Sequence, residues 1–282
     1  MENKRKGLLF LHSAIFIFGG TALFAKLISL PATDITVWRS FTAVTVILVI
    51  LLLRRRPLRL QQRRDGLIMF IAGALLGLHW ATYFQAMQVA GIAVGMVAMY
   101  TYPIMIVFLE PLFKNQRPHL SDIVCAMIML AGILLLVPEF DLENNVTQGV
   151  CWGVLSAALF ALRNVIQGHY LKGYSGETSI LYQGAVAGAT VIPFMTTHPL
   201  AVDAENLFKL ILLGALFTAL PHSFFANSLR YLKAKTVGLI GCLQPVYGAT
   251  LAYLVLAEQP EWMTLLGGAI IIGTAAYETY RS

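Results

Sequence analysis

Ten stretches of the chain, each roughly 18–22 residues long, run almost without charge, and a helix of ~20 apolar residues crosses ~30 Å of hydrocarbon. They cover about 7–28, 35–53, 67–88, 93–113, 121–138, 149–169, 178–195, 207–228, 237–256 and 262–280. A bilayer core offers bare backbone no hydrogen-bond partners, so spanning segments are helices or closed barrels. Runs of this length predict helices, and the expected class is an all-α integral membrane protein with ten transmembrane helices. Of the 282 residues only 12% are charged, about half the share in a soluble domain. Little chain lies between the runs, so no soluble domain remains to house an active site.

The ten runs are five, written twice. A shift of 142 residues lays Gly7 on Gly149, Phe18 on Phe160, Thr36 on Thr178, Pro57 on Pro199, Pro103 on Pro245 and Pro118 on Pro260. A register kept over more than a hundred residues, with coincident run boundaries, marks an internal repeat. Residues 1–141 form the first five-helix repeat and 142–282 the second.

Five is odd, so equivalent loops of the two repeats must face opposite sides of the bilayer. The loop "RRRPLRLQQRRD" (Arg54–Asp65) carries six arginines, whereas its copy "TTHPLAVDAENL" (Thr196–Leu207) carries no Lys or Arg. Lys and Arg collect in cytoplasmic loops, which puts the arginine loop inside and its copy outside. Lys4, Arg5, Lys6, Lys114, Arg117, Lys172, Arg230, Lys233, Lys235 and Arg281 fall inside by the same count, while Asp34, Glu139, Asp141, Glu143, Asp203, Glu205, Glu258 and Glu261 fall outside. Both termini are then cytoplasmic, and the repeats are inverted. The net charge of +6 reflects this topology and contact with anionic headgroups, not nucleic acid. The opening "MENKRKGLLFLHSAIFIFGG" resembles a secretory leader, but its counterpart at 149 onward argues that it is the first helix of the fold.

Inverted repeats let a central site open to one side and then the other. The expectation is a carrier of small molecules working by alternating access, with the lipid bilayer as its other partner, as a monomer or a dimer. The stretches "VGMVAMYTYPIMIVFLEPLF" (94–113) and "VGLIGCLQPVYGATLAYLVLAEQP" (237–260), set in two five-helix repeats, resemble the drug/metabolite transporter superfamily, in particular its EamA-type ten-helix branch. That resemblance covers essentially the whole chain. It implies amino-acid or metabolite export across the cell (inner) membrane, and a cavity lined by helices one, three, four, six, eight and nine. In the first repeat the acidic-Pro hairpin of "AEQP" is replaced by "NQRP", with the acid moved to "LEP" at Leu109–Pro111.

Polar residues within the runs need a reason, since a charge at mid-bilayer costs about 2.5–3.5 kcal/mol on insertion scales. Arg163 shares one helix face with Ser156, Phe160 and Gln167. It can meet a substrate carboxylate or phosphate, pair with Glu110, or snorkel to the inner headgroups. His79 and His222 fall within one residue of equivalent points in helices three and eight, where His79 aligns with Pro221 and Trp80 with His222. Tyr102 and Gln244 align immediately before Pro103 and Pro245, which are expected to kink helices four and nine. With Tyr83 and Tyr100 these residues form the candidate substrate-binding set of an aromatic, sparsely polar pocket. Glu110 is the candidate coupling group.

Arg39, beside Trp38, reads as an interfacial anchor, and Lys26 and Lys209 as snorkelling ends. Cys125, Cys151 and Cys242 read as small core residues. The pairs Gly73/Gly77, Gly91/Gly95, Gly149/Gly153 and Gly184/Gly188 read as close helix packing. No spacing suggests a metal or other cofactor, and no residue is singled out as catalytic. Ser223 beside His222 is the one hint of an embedded enzyme. A lipid-carrier flippase or a multidrug-type efflux protein is the alternative carrier.

Overall fold

The computed structural model describes residues 2–56, 58–114, 120–136, 141, 143–171, 173–198, 201–228, 231–232 and 240–281. The equivalences of Pro57 with Pro199 and Pro118 with Pro260, the "NQRP" segment, and Arg117, Glu139, Lys172, Arg230, Lys233 and Lys235 include positions outside these residues.

Every regular element described is helical: α1 (Glu2–Thr21), α2 (Phe24–Leu27), α3 (Ala32–Leu53), α4 (Arg63–Ala90), α5 (Ile92–Met99), α6 (Tyr102–Lys114), α7 (Leu120–Leu136), α8 (Asn145–Tyr170), α9 (Gly176–Val191), α10 (Ala204–Gly214), α11 (Leu220–Ser228), α12 (Gln244–Leu256) and α13 (Trp262–Arg281). Among the described residues six segments have the length and composition to cross a membrane: Lys4–Leu27, Ala32–Leu53, Arg63–Ala90, Ile92–Phe113, Asn145–Tyr170 and Ala204–Phe225. The remaining apolar runs coincide with α7, α9, α12 and α13, of which α7 and Trp262–Tyr277 of α13 are apolar but shorter.

Local chemistry sets the boundaries. Asn144 caps α8 by accepting from the Val146 N–H at 2.8 Å, and Asp203 caps α10 by accepting from the Asn206 N–H at 2.9 Å. These bonds from Asn206 hold the exposed Asp203 carboxyl below the usual range. Gly91, at φ 91°, breaks α4 from α5, a backbone state that only glycine adopts without strain. The orphan N–H groups opening α5 find a distant acceptor: Glu258 Oε1 takes the Ile92 N–H at 2.6 Å and the Ala93 N–H at 3.2 Å. The hairpin acid of "AEQP" therefore caps a helix of the other half.

The helices break just ahead of both prolines. α5 stops at Met99 and α6 begins at Tyr102, while α12 begins at Gln244 after a turn at Cys242–Leu243. Span eight departs from α geometry as well, through a π-helical stretch at Ala215–Ala219. Its looser register lets the Thr218 hydroxyl donate to the Leu213 carbonyl at 2.9 Å.

Polarity is distributed inside-out relative to a water-soluble protein. Leu53, Leu112, Leu120, Leu254 and Trp262 are exposed, while Arg39, Ser40, His79, Ser156, Arg163, Gln183 and Thr218 are buried. An apolar exterior this extensive is stable only against lipid. Of the cysteines, Cys125 and Cys242 are buried, but Cys151 is exposed and is not a core residue.

Packing joins the halves. α4 lies against α8 and α9, and α3 against α9. The glycines of α4 make this possible, since a Cβ on Gly77 would sit 2.5 Å from the Ala187 carbonyl oxygen and one on Gly73 2.7 Å from Val186 Cβ. Across the other interface, a Cβ on Gly149 would come within 2.1 Å of Ala90 Cβ. Gly77→Ala is therefore expected to lower stability by about 1–3 kcal/mol through overpacking against backbone. Gly273→Ala, where nothing lies within 4 Å, is expected to change it little; thermal unfolding in detergent compares the two.

Candidate functional site

A cavity of about 1260 Å³ is lined from both halves, from Ile15 to Ile106 and from Phe160 to Gln244. Its wall includes His79, Tyr83, Tyr100, Tyr102, Arg163, His222 and Gln244. All seven candidate binding residues thus meet in one space. Glu110, Pro103 and Pro245 are not in the lining; the prolines shape the wall through the helix breaks beside them. Arg39 and Leu51 of α3, and Ile180 of α9, add the second and seventh spans to the wall.

The histidines are held in definite states. The Ser156 hydroxyl donates its one hydrogen to the His79 carbonyl at 3.0 Å, while His79 Nδ1 lies 2.8 Å from Ser156 Oγ and 3.1 Å from the Ser156 carbonyl. The Ser156 carbonyl can only accept, so Nδ1 is the donor to it, which leaves Nε2 as an acceptor when the ring is neutral. His222 Nδ1 lies 2.6 Å from the Thr218 carbonyl and must donate there too. The His79 ring stacks on Phe160 with centroids 4.6 Å apart. Trp80 and His222, aligned in the two repeats, meet edge-to-face at 6.3 Å. The Ser223 hydroxyl donates to the Ala219 carbonyl at 3.0 Å.

The proline breaks supply polarity. Pro245 has no N–H for the carbonyl four residues back, Gly241. The Tyr100 hydroxyl takes that place, donating to the Gly241 carbonyl at 2.7 Å, with Gln244 Oε1 3.1 Å away. Tyr100 packs edge-to-face on Tyr102 at 5.6 Å, and Tyr102 on Phe160 at 5.0 Å. The helix-break region of one half is thereby tied to that of the other.

Arg163 faces the cavity rather than the headgroups, and its bonds are to neutral groups. Its Nε donates to Gln183 Oε1 at 2.8 Å and its Nη1 to Asn164 Oδ1 at 3.0 Å. Gln183 in turn donates to Gln167 Oε1 at 3.0 Å. Gln183 was not legible as a site residue; a lone fully buried amide in α9 carries no spacing signal.

Arg39 is not an interfacial anchor. It is 3% exposed, its guanidinium carbon lies 4.5 Å from the Trp80 ring centroid and 5.1 Å from that of Phe84, and its Nη2 donates to Thr218 Oγ1 at 3.1 Å. The second half covers it through α10 and the π-helical stretch, which pack on α3. That contact lies far from Arg39 in sequence, so the adjacent Trp38 gave a misleading cue.

One end of the cavity reaches the surface, among exposed residues. Arg54, Arg56, Arg59 and Gln61 of the arginine loop line it, facing Tyr174, Ser175 and Glu177. Tyr174 braces this loop: its hydroxyl donates to Asp65 Oδ2 at 2.5 Å and accepts from the Gln61 N–H at 2.7 Å. The other end is tied shut across the halves. Asp34 accepts from the N–H groups of Thr196 and Thr197 at 3.1 and 2.9 Å, the Ser29 N–H donates to Asn206 at 3.1 Å, and Lys209 Nζ donates to the Leu27 carbonyl at 2.8 Å. Lys26 Nζ donates to the Gln88 carbonyl at 2.8 Å. The lysines therefore belong to the closed end.

Comparison with known proteins agrees with this architecture. The EamA-like transporter family matches the chain twice, over residues 5–137 and 147–277. The chain is 22% identical over 275 residues to the uncharacterized transporter YxxF of Bacillus subtilis, covering 95% of this chain and 88% of that one. It is 24% identical over 271 residues to the pseudopaline exporter CntI of Pseudomonas aeruginosa, covering 95% and 94%. It is 21% identical over 281 residues to the uncharacterized inner membrane transporter YicL of Salmonella typhimurium, covering 94% and 93%. A protein crystal structure shares the fold, with a TM-score of 0.66 at 19% identity over 98% of this chain and 99% of its own.

Proposed function

The chain belongs to the EamA-like transporter family and is a membrane transporter; from that premise we propose that it carries small organic metabolites bearing a carboxylate, amino acids among them, by alternating access. The carrying observation is a cavity walled by both halves, reaching the surface at the arginine loop and bridged by hydrogen bonds between the halves at the other end. Two inverted five-helix repeats, ten crossings in all with cytoplasmic termini, account for that asymmetry. The arginine loop is then cytoplasmic, and this conformation is open to the inside.

Arg163 takes the carboxylate. His79 and His222 offer acceptor nitrogens to an ammonium or hydroxyl group, and Tyr83, Tyr100, Tyr102 and Gln244 shape the remaining wall. Rocking of the halves would break the Asp34–Thr196/Thr197 and Ser29–Asn206 bonds and close the arginine end. Glu110, away from the cavity, can couple transport only through the helix that carries it. The names of two relatives, an exporter and an inner membrane transporter, favour export across the inner membrane.

Purified protein in proteoliposomes is expected to accumulate at least one labelled carboxylate-bearing metabolite by counterflow. The panel should span neutral and acidic amino acids, mono- and dicarboxylates, sugar phosphates and nucleosides. No exchange of any member would overturn the carrier reading.

A further inference from the structure

The cavity holds two buried guanidinium groups at different depths, and among the described residues neither is paired with a carboxylate. Arg163 is bonded to the neutral side chains of Gln183 and Asn164. Arg39 has one polar bond, to Thr218, and its Nε has no partner, although the group is almost fully buried. The Tyr83 hydroxyl, in the same wall, is also buried without a partner. Two aromatic rings and one hydroxyl face Arg39, but a buried cation with no anion beside it remains unfavourable. The unsatisfied Nε and hydroxyl mark this part of the wall as one where polar groups lack a partner.

The two arginines are separated along the cavity axis. The bonded pair His79–Ser156 sets a common level for α4 and α8. Arg39 covers Trp80 and Phe84, one and five residues beyond His79 toward the closed end. Arg163 is seven residues beyond Ser156 toward the arginine-loop end, on the order of 10 Å of helix rise. A solute in contact with both must therefore be elongated, with the His79–Phe160 layer beside its middle. In the deep part of the cavity no described acid lines the wall; Glu177 is at the mouth.

We propose that Arg39, in the same wall as the Tyr83 hydroxyl, is a second anion subsite, and that the physiological solute is an elongated diacid whose two carboxylates bridge Arg39 and Arg163. This rests on the carrier reading and narrows its substrate class. Acidic amino acids and longer dicarboxylates fall within the class; neutral zwitterions satisfy one arginine only. The arginines at the mouth, Arg54, Arg56 and Arg59, would raise the local concentration of such dianions.

The test uses the full-length protein in phosphatidylcholine nanodiscs, whose headgroups carry no net charge. Binding of straight-chain diacids from malonate to suberate is compared with that of monoacids of equal length by calorimetry. The best diacid is expected to bind at least tenfold tighter than its monoacid, with an optimum longer than malonate. Arg39→Gln, if its thermal unfolding shows it folded, is expected to bring that ratio close to one. Diacids and monoacids binding within twofold of each other at every length would overturn the proposal without any variant. So would an unchanged ratio in folded Arg39→Gln. Counterflow separates this from the carrier reading: monoacids exchanging as fast as diacids overturn the second subsite alone. Tight diacid binding with no exchange of any solute supports the subsite and removes the carrier.

Discussion

Replacing Arg163 with alanine is expected to reduce exchange of the best transported solute at least ~30-fold, and by up to a few thousand-fold, with the protein still folded. The range corresponds to the roughly 2–5 kcal/mol that truncating one partner of a buried, hydrogen-bonded charge pair costs. Folding survives because the groups left behind are neutral and still partly satisfied: Gln183 keeps its bond to Gln167, and Asn164 lines a cavity. Arg163→Lys is expected to recover little. A lysine brings a point charge, whereas Gln183, Asn164 and a carboxylate need the planar fork of donors. Gln183→Leu keeps the charge but frees its orientation, so a smaller loss is expected, with KM rising more than kcat falls. Initial rates in proteoliposomes, referred to folded protein by thermal unfolding, decide it; wild-type rates in Arg163→Ala would remove this residue from the site.

The second large effect is all-or-none. In a background with Cys125, Cys151 and Cys242 replaced by alanine, Arg59→Cys and Ala201→Cys are expected to label from opposite faces of the membrane. An impermeant maleimide added to intact cells should reach Ala201→Cys and should reach Arg59→Cys only after permeabilisation. Both positions are exposed, and Ala201 lies just before the Asp203 cap without forming it. The physical basis is parity. On the ten-crossing reading, five crossings separate equivalent loops, and six arginines in one loop against none in the other are expected to hold the first on the cytoplasmic side. Labelling from one and the same face would contradict the inverted repeat, and the inward-open reading of the cavity would fall with it.

Much of the candidate site could be read from residue types placed where they are expensive. His79, His222 and Arg163 are polar groups inside apolar runs, and Tyr102 and Gln244 precede prolines at matching positions. Such groups need partners or a ligand, and the cavity wall contains them all. Arg39 was misread for the same local reason, because a Trp-Arg pair near a run's end looks the same whether it meets headgroups or a second helix bundle. Glu258 was equally opaque. Its bonds to Ile92 and Ala93 span 166 and 165 residues, and no periodicity reports such a contact.

The sequence alone determined that the chain is membrane-embedded and helical, that its run pattern repeats, and where its helices break. Those properties follow from hydrocarbon thickness, backbone hydrogen bonding and the missing N–H of proline, all of which act along the chain. Which buried cations are left facing a cavity, and which end of that cavity is tied shut, only the tertiary structure decided. Burial and pairing depend on what the other half of the molecule brings alongside, so the same arginine is an anchor or a ligand group according to a neighbour well over a hundred residues away.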